Sequence, residues 1–224
     1  MMGGLIAKKP ENDGEREVLA AGMYQGVCYR YYDLGTHHVD YVYQGKHIVG
    51  DNQKVHIAFE IPSERIVIEK DGREQDVPRV QSKEYNLTLG KKANLRKDLE
   101  SWRGRNFTEN ELEGFHLDKI LGKNAMLNII HNDKGYPFIA SINPLPRTMQ
   151  PRDAENEVYG WSFTNDGPDQ LPKDIPDWIR TKIESSMEWQ ALSENPIGRF
   201  EPDNEPRQEP DDFGPPPDED NIPF

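Results

Sequence analysis

Residues 54–61 read Lys-Val-His-Ile-Ala-Phe-Glu-Ile, a strict alternation of apolar with polar or small side chains. In a pleated strand this period of two puts Val55, Ile57, Phe59 and Ile61 on a core face and turns Lys54, His56, Ala58 and Glu60 to solvent. A helix would scatter the same residues around its axis. The segment therefore predicts a half-buried strand, and its neighbours have to supply the sheet. Residues 22–34 are rich in aromatic and small residues and predict a long strand, bent or bulged at Gly26. Residues 35–53, with Gly45 and Gly50-Asp51-Asn52, predict a loop or ragged hairpin. Residues 65–70 and 81–89 predict further strands joined by the turn Asp71-Gly72. Leu95, Leu99 and Trp102 recur at helical spacing within 94–102, and a helical connection continues over 109–120. Two apolar runs, 125–131 and 136–144, flank Asn132-Asp133-Lys134-Gly135, a hairpin turn signal.

The order is strands, a helical insertion, then a closing hairpin. It predicts a mainly β fold: a five-stranded Greek-key barrel of the oligonucleotide-binding type, with an open antiparallel sheet and packed helix as the rival. Hydrophobic residues make up 34% of the 224-residue chain against 30% charged, with 18 Pro and 18 Gly, too polar and broken for the whole length to share one core. The expected organisation is a mobile leader over 1–21, the barrel over 22–147, an extension over 148–194 with a short amphipathic helix at 176–192, and a disordered acidic tail over 195–224. No eighteen apolar residues run together and no secretory leader is evident, so a soluble, cytoplasmic protein is expected. The single Cys28 permits no internal disulfide.

Charge is unevenly spread. The net charge is −13, yet residues 201–224 carry nine acids against the single Arg207, a net −8. Residues 79–105 carry eight bases against three acids, a net +5. A basic middle is thus tethered to an acidic tail. No phosphate-binding loop, nucleophile elbow, zinc-protease motif or cysteine pair occurs. His37, His38, His47 and His56 with Cys28 follow no ligand template, so no metal, no cofactor and no catalysis are expected.

Single-stranded nucleic acid is held by aromatic faces that stack bases and by cations along the phosphates. Tyr24, Tyr29, Tyr31 and Tyr32 cannot all point inward from an alternating strand, so at least one or two are expected beside Arg30 in solvent. Tyr29, Arg30, Tyr31, Lys54, His56, Lys83, Tyr85, Arg96, Trp102, Arg103 and Arg105 are the candidate surface for single-stranded DNA. Core packing for Tyr24, Tyr85 and Trp102, with a solvated basic face, is the competing reading.

The chain ends Asp218-Glu219-Asp220-Asn221-Ile222-Pro223-Phe224 after a Pro-rich, acidic stretch. This resembles the acidic tip of bacterial single-stranded DNA-binding proteins, with Asn221 interrupting the acid run. Leu95-Arg96-Lys97-Asp98-Leu99 and Trp102-Arg103-Gly104-Arg105, with the closing stretch that ends at Pro146, resemble a phage-encoded oligonucleotide-binding-fold family of the same activity. The resemblance implies a protein that coats single-stranded DNA during phage replication, recombination or repair. It also implies that Asp218, Glu219, Asp220, Ile222, Pro223 and Phe224 dock a replication, recombination or repair partner, the ring and terminal carboxylate entering a basic pocket while the acids steer. A recombination mediator or strand-annealing protein, and a non-catalytic protein-binding adaptor, are the alternatives.

Overall fold

The computed structural model of the protein describes residues 18–43, 45–70 and 72–194. Its frame is three long antiparallel strands: β1 (Gly22–Tyr43), β2 (Lys46–Lys70) and β3 (Arg73–Asn86). β2 pairs with β1 along residues 46–60 and with β3 along residues 54–70, so the two pairings overlap only in its middle. At about 3.3 Å per residue its 25 residues would reach roughly 80 Å if straight. Each end of β2 therefore runs on as a two-stranded ribbon beyond the shared sheet. The expected strand at 65–70 is the end of β2, and a register shift between Ile61 and Arg65 absorbs Pro62-Ser63-Glu64 without ending the strand.

After β3 come α1 (Asn94–Arg103), α2 (Glu109–Glu113) and a 3₁₀ turn (Leu117–Ile120), then the hairpin of β4 (Asn124–His131) and β5 (Pro137–Pro144). α1 buries Leu95, Leu99 and Trp102, the stripe expected from their spacing. α2 starts at Thr108 with a capping box closed by Glu111, which satisfies two backbone donors at once. The strand order is β3-β2-β1-β4-β5, every neighbour antiparallel. β3 and β5, at the two ends of that path, approach each other, and α1 touches both. A sixth strand not expected from the sequence, β6 (Tyr159–Trp161), adds to β1 in parallel beside Arg30, Tyr31 and Tyr32. α3 (Asp177–Glu184) and α4 (Met187–Glu194) follow; the expected helix over 176–192 is broken at Ser185 and Ser186.

Two cores lie on opposite faces of the sheet. The larger gathers Tyr31, Val55, Ile57, Phe59, Ile61 and Tyr85 with Leu95, Leu99 and Trp102 of α1 and the inward residues of β4 and β5. The smaller gathers Tyr32 and Leu34 with Trp161, Leu171, Ile175, Ile179 and Ile183, all but the first two from the segment after β5. This second core overturns one expectation. Lys54, His56, Ala58 and Glu60 are buried, not solvent-facing, because residues 159–183 cover that face of the sheet.

β1 also departs from the expected bend at Gly26. Its register shifts fall between Cys28 and Arg30 and between Asp33 and Gly35. Gly26 is instead a site of close approach: a Cβ there would meet Leu127 Cδ1 at 2.6 Å. Gly35, at φ +77°, takes the left-handed conformation that its shift requires, with Ser186 packed over it. The leader up to residue 17 and the tail over 195–224, including Asp218, Glu219, Asp220, Ile222, Pro223 and Phe224, lie outside the described residues.

Candidate nucleic-acid interface

The first bulge of β1 brings Tyr29, Arg30 and Tyr31 in from solvent, contrary to the exposure expected of them. Tyr29 is 8% exposed and Tyr31 6%. An alternating strand cannot bury consecutive side chains on one face, but a bulge followed by two covered faces can bury them all. The Tyr31 ring enters the larger core and its hydroxyl donates to Asp118 Oδ1 at 2.5 Å. Arg30 lies on the other side, its guanidinium 5.1 Å from the Tyr29 ring centroid and 4.6 Å from that of Tyr159, and it pairs with Asp174 at 3.0 Å. Tyr32 and Tyr159 share a hydroxyl hydrogen bond of 2.7 Å over the same guanidinium. Burial pushes the Tyr29 phenol up to about 12.

Along β2 and β3 the cations are matched in the same way. Glu84, opposite His56 in the register, accepts from Lys182 of α3 at 2.6 and 2.8 Å and pairs with Lys54 at 3.2 Å. Burial works to raise that carboxyl, and the hydrogen bond and charge of Lys182 outweigh it, so Glu84 sits below the usual carboxylate range. Burial, with the charge of Lys182 adding to it against the pull of Glu84, drives His56 down to about 4, and its ring lies edge-on to Trp178 at 5.0 Å. On the opposite face Lys83 pairs with Asp98 at 3.0 Å, and Asp98 also accepts the Tyr85 hydroxyl at 2.7 Å.

The helical insertion completes the set. Arg96 pairs with Glu100 one turn on, at 3.0 Å. Trp102 is core, its indole N–H donating to the Asn124 carbonyl at 2.8 Å. Arg103 and Arg105 converge on Glu111, and the Arg103 guanidinium lies 4.4 and 5.1 Å from the centroids of the Phe107 and Phe115 rings, which meet edge to face. The bond from Arg105, then the Thr108 backbone and Arg103, hold the Glu111 carboxyl well below its ordinary range.

The eleven sequence candidates thus do not form one groove. Arg30, Lys54 and His56 belong to one face of the sheet, while Tyr31, Lys83, Tyr85 and Trp102 belong to the other. Seven of their side chains are cations, and each except the buried neutral His56 meets a carboxylate. A paired cation offers phosphate little, because the incoming anion has to displace an internal one.

What remains open to a ligand was absent from that set. The ribbon of residues 36–43 and 46–53 exposes Lys46 beside its turn, while on the same face Val39 and Tyr41 are half-buried and Ile48 is buried. The β4–β5 turn carries Lys134 and the 41% exposed Tyr136. Lys91 and Lys97 are exposed at and just before the start of α1. The alternation Val39-Asp40-Tyr41-Val42-Tyr43 was the available signal for the ribbon, obscured by Gly45 and Gly50. Among the described residues no three His, Cys, Asp or Glu side chains come together as a metal site would need, and no helix is long and apolar enough to cross a membrane. Comparison with protein families, with curated proteins and with solved structures finds no match to this chain.

Proposed function

We propose that the chain is a non-catalytic single-stranded DNA-binding protein built on an oligonucleotide-binding barrel, acting in phage replication, recombination or repair. The observation that carries this reading is the strand order β3-β2-β1-β4-β5 with α1 inserted between β3 and β4 and with β3 close to β5. That is the order of a five-stranded Greek-key barrel, whose β1–β2 and β4–β5 connections flank the oligonucleotide. In this protein the ribbon and the turn that make those connections carry the exposed Lys46, Lys134 and Tyr136, with the half-buried Tyr41 on the ribbon. The reading therefore moves the binding surface from the buried candidates of β1 and β2 to the ribbon and the turn. Tyr24, whose hydroxyl donates to the Ala20 carbonyl, stays outside it.

The acidic tip supports the same reading from the sequence side, as a tether for a partner protein in the host cytoplasm. Fluorescence titration of labelled oligo(dT) with the full chain and with Tyr41→Ala and Tyr136→Ala tests the surface. Each substitution is expected to weaken binding by about 1–3 kcal/mol, the usual worth of one stacked base, and Tyr136→Ala to do so without lowering thermal stability. Unchanged affinity in both variants would remove the assignment.

A further inference from the structure

We propose that copies of this chain associate head to tail, the β1–β2 ribbon of one copy seating on the β2–β3 ribbon of the next. The two ribbons extend from opposite ends of β2, one formed by residues 36–43 with 46–53 and the other by residues 65–70 with 73–78. Among the described residues no third strand pairs with the first ribbon; at its base the Thr36 N–H donates to Glu188 and the Gln53 carbonyl accepts from the Leu87 N–H. A two-stranded ribbon is marginal in water on its own.

Register fixes what each face carries, since residues opposite one another share a face. On the first ribbon one face holds His38, Asp40, Val42, His47, Val49 and Asp51, every one exposed. Val42 is 68% exposed and Val49 52%, Val49 in the middle row of this face and Val42 in the row beside the turn. Asp51 bonds to His38 at 2.8 Å and Asp40 to His47 at 2.5 Å, and Asp40 lies directly across from Val49. On the second ribbon one face holds Ile66, Ile68 and Val77, with Lys70 opposite Arg73 at its end. Ile68 is exposed and Ile66 and Val77 are half-buried.

Each face is an apolar strip beside charge, and the charges are opposite. The acids of the first ribbon turn nucleic acid away from the valines, and they also oppose a symmetric pairing of that face with its own copy. The basic end of the second ribbon fits them. Because the complementary faces lie at opposite ends of one strand, the contact is heterologous and repeats from copy to copy, giving an open chain, not a closed dimer.

Sedimentation velocity of the full chain without DNA, over a range of concentrations at low salt, reads the association. The weight-average mass is expected to climb steadily, with no plateau at the dimer. Asp40→Lys with Asp51→Lys, and separately Lys70→Glu with Arg73→Glu, are each expected to weaken association by about tenfold or more, and the two variants mixed in equal amounts are expected to regain it, since their charges are again complementary. Should either double variant lose its β-sheet circular dichroism, Val42→Lys alone serves, again with an expected loss of about tenfold. A wild-type chain monomeric throughout, double variants that associate as the wild type does, a mixture no better than its parts, or an unchanged Val42→Lys in its turn would each overturn the proposal.

Discussion

The His56 imidazole of β2 lies edge-on to the indole of Trp178 in α3, 5.0 Å between ring centroids, and is stacked on its other side with Tyr32 at 6.3 Å. A residue of the central strand is thereby enclosed by a helix more than a hundred residues later in the chain. The enclosure has a cost for the charged form of the ring, and Lys182 in the same helix adds to it.

Stability should depend on pH through this residue. With its folded pKa lowered to about 4 from an ordinary 6.5, His56 is stabilising as a neutral ring above pH 6.5, and that contribution is lost as pH falls through 6.5 towards 4. The loss approaches roughly 3 kcal/mol at the acid end. Urea denaturation at pH 7 and at pH 5, in wild type and His56→Phe, checks it: the variant is expected to lose less stability between the two. Equal losses would mean that the ring is not buried in neutral form.

Glu60 should matter more than its position in an alternating strand suggests. It is fully buried and accepts the backbone N–H groups of Glu155 and Asn156 at 2.7 and 3.0 Å and the Asn156 side-chain amide at 2.7 Å. Glu60→Ala leaves these three donors without their acceptor and is expected to destabilise the fold by about 2–5 kcal/mol. Glu64→Ala, on the partly exposed bulge, is expected to cost less than about 0.5 kcal/mol. Chemical denaturation midpoints of the two variants decide between a structural anchor and an ordinary surface acid.

Tyr31 and Tyr41 lie in one strand and should behave oppositely. Tyr31→Ala empties a place in the larger core and is expected to cost about 3–5 kcal/mol of stability, and Tyr31→Phe about 1 kcal/mol through the lost bond to Asp118. Tyr41→Ala, at a half-buried position of the ribbon, is expected to cost less stability than Tyr31→Ala and to weaken single-strand binding. Paired thermal melts and oligonucleotide titrations read both effects.

The acidic tip should act on partners and on DNA in different directions. Nine acids within residues 201–224 compete with phosphate for the protein's own cations, so removing Asp218 to Phe224 is expected to raise affinity for single strands at low salt, with the gain shrinking as the Debye length falls to about 8 Å near 0.15 M. Deleting Phe224 alone is expected to abolish partner recovery in a pull-down and to leave DNA binding nearly unchanged. Recovery of the same partners by both forms would reduce the tip to a solubilising tail.

How much of this was legible depended on how local the cause was. Val55, Ile57, Phe59 and Ile61 were readable as core because the alternation that buries them lies within eight residues. Leu95, Leu99 and Trp102 were readable as the buried face of α1 for the same reason. Lys54, His56 and Glu60 were misjudged as solvent-facing because their cover comes from Trp161, Ile179, Ile183 and the Asn156 backbone, about a hundred residues away. Tyr29 and Tyr31 were misjudged because a bulge after Cys28 shifts the alternation, and nothing in Tyr29-Arg30-Tyr31-Tyr32 announces a bulge. The ribbon was hidden by Gly45 and Gly50, which read as loop although one sits at the turn and the other pairs with Val39 inside the strand.

The central claim is that this protein holds single strands through exposed aromatics and cations, and a competition titration tests it most directly. Labelled oligo(dT) is bound to the full chain over a series of salt concentrations and challenged with unlabelled single-stranded DNA, single-stranded RNA and duplex of equal length. The account predicts that the single strand displaces the label far better than the duplex, and that log affinity falls linearly with log salt as counterions are released. Affinity independent of salt, or duplex competing as well as the single strand, would contradict it.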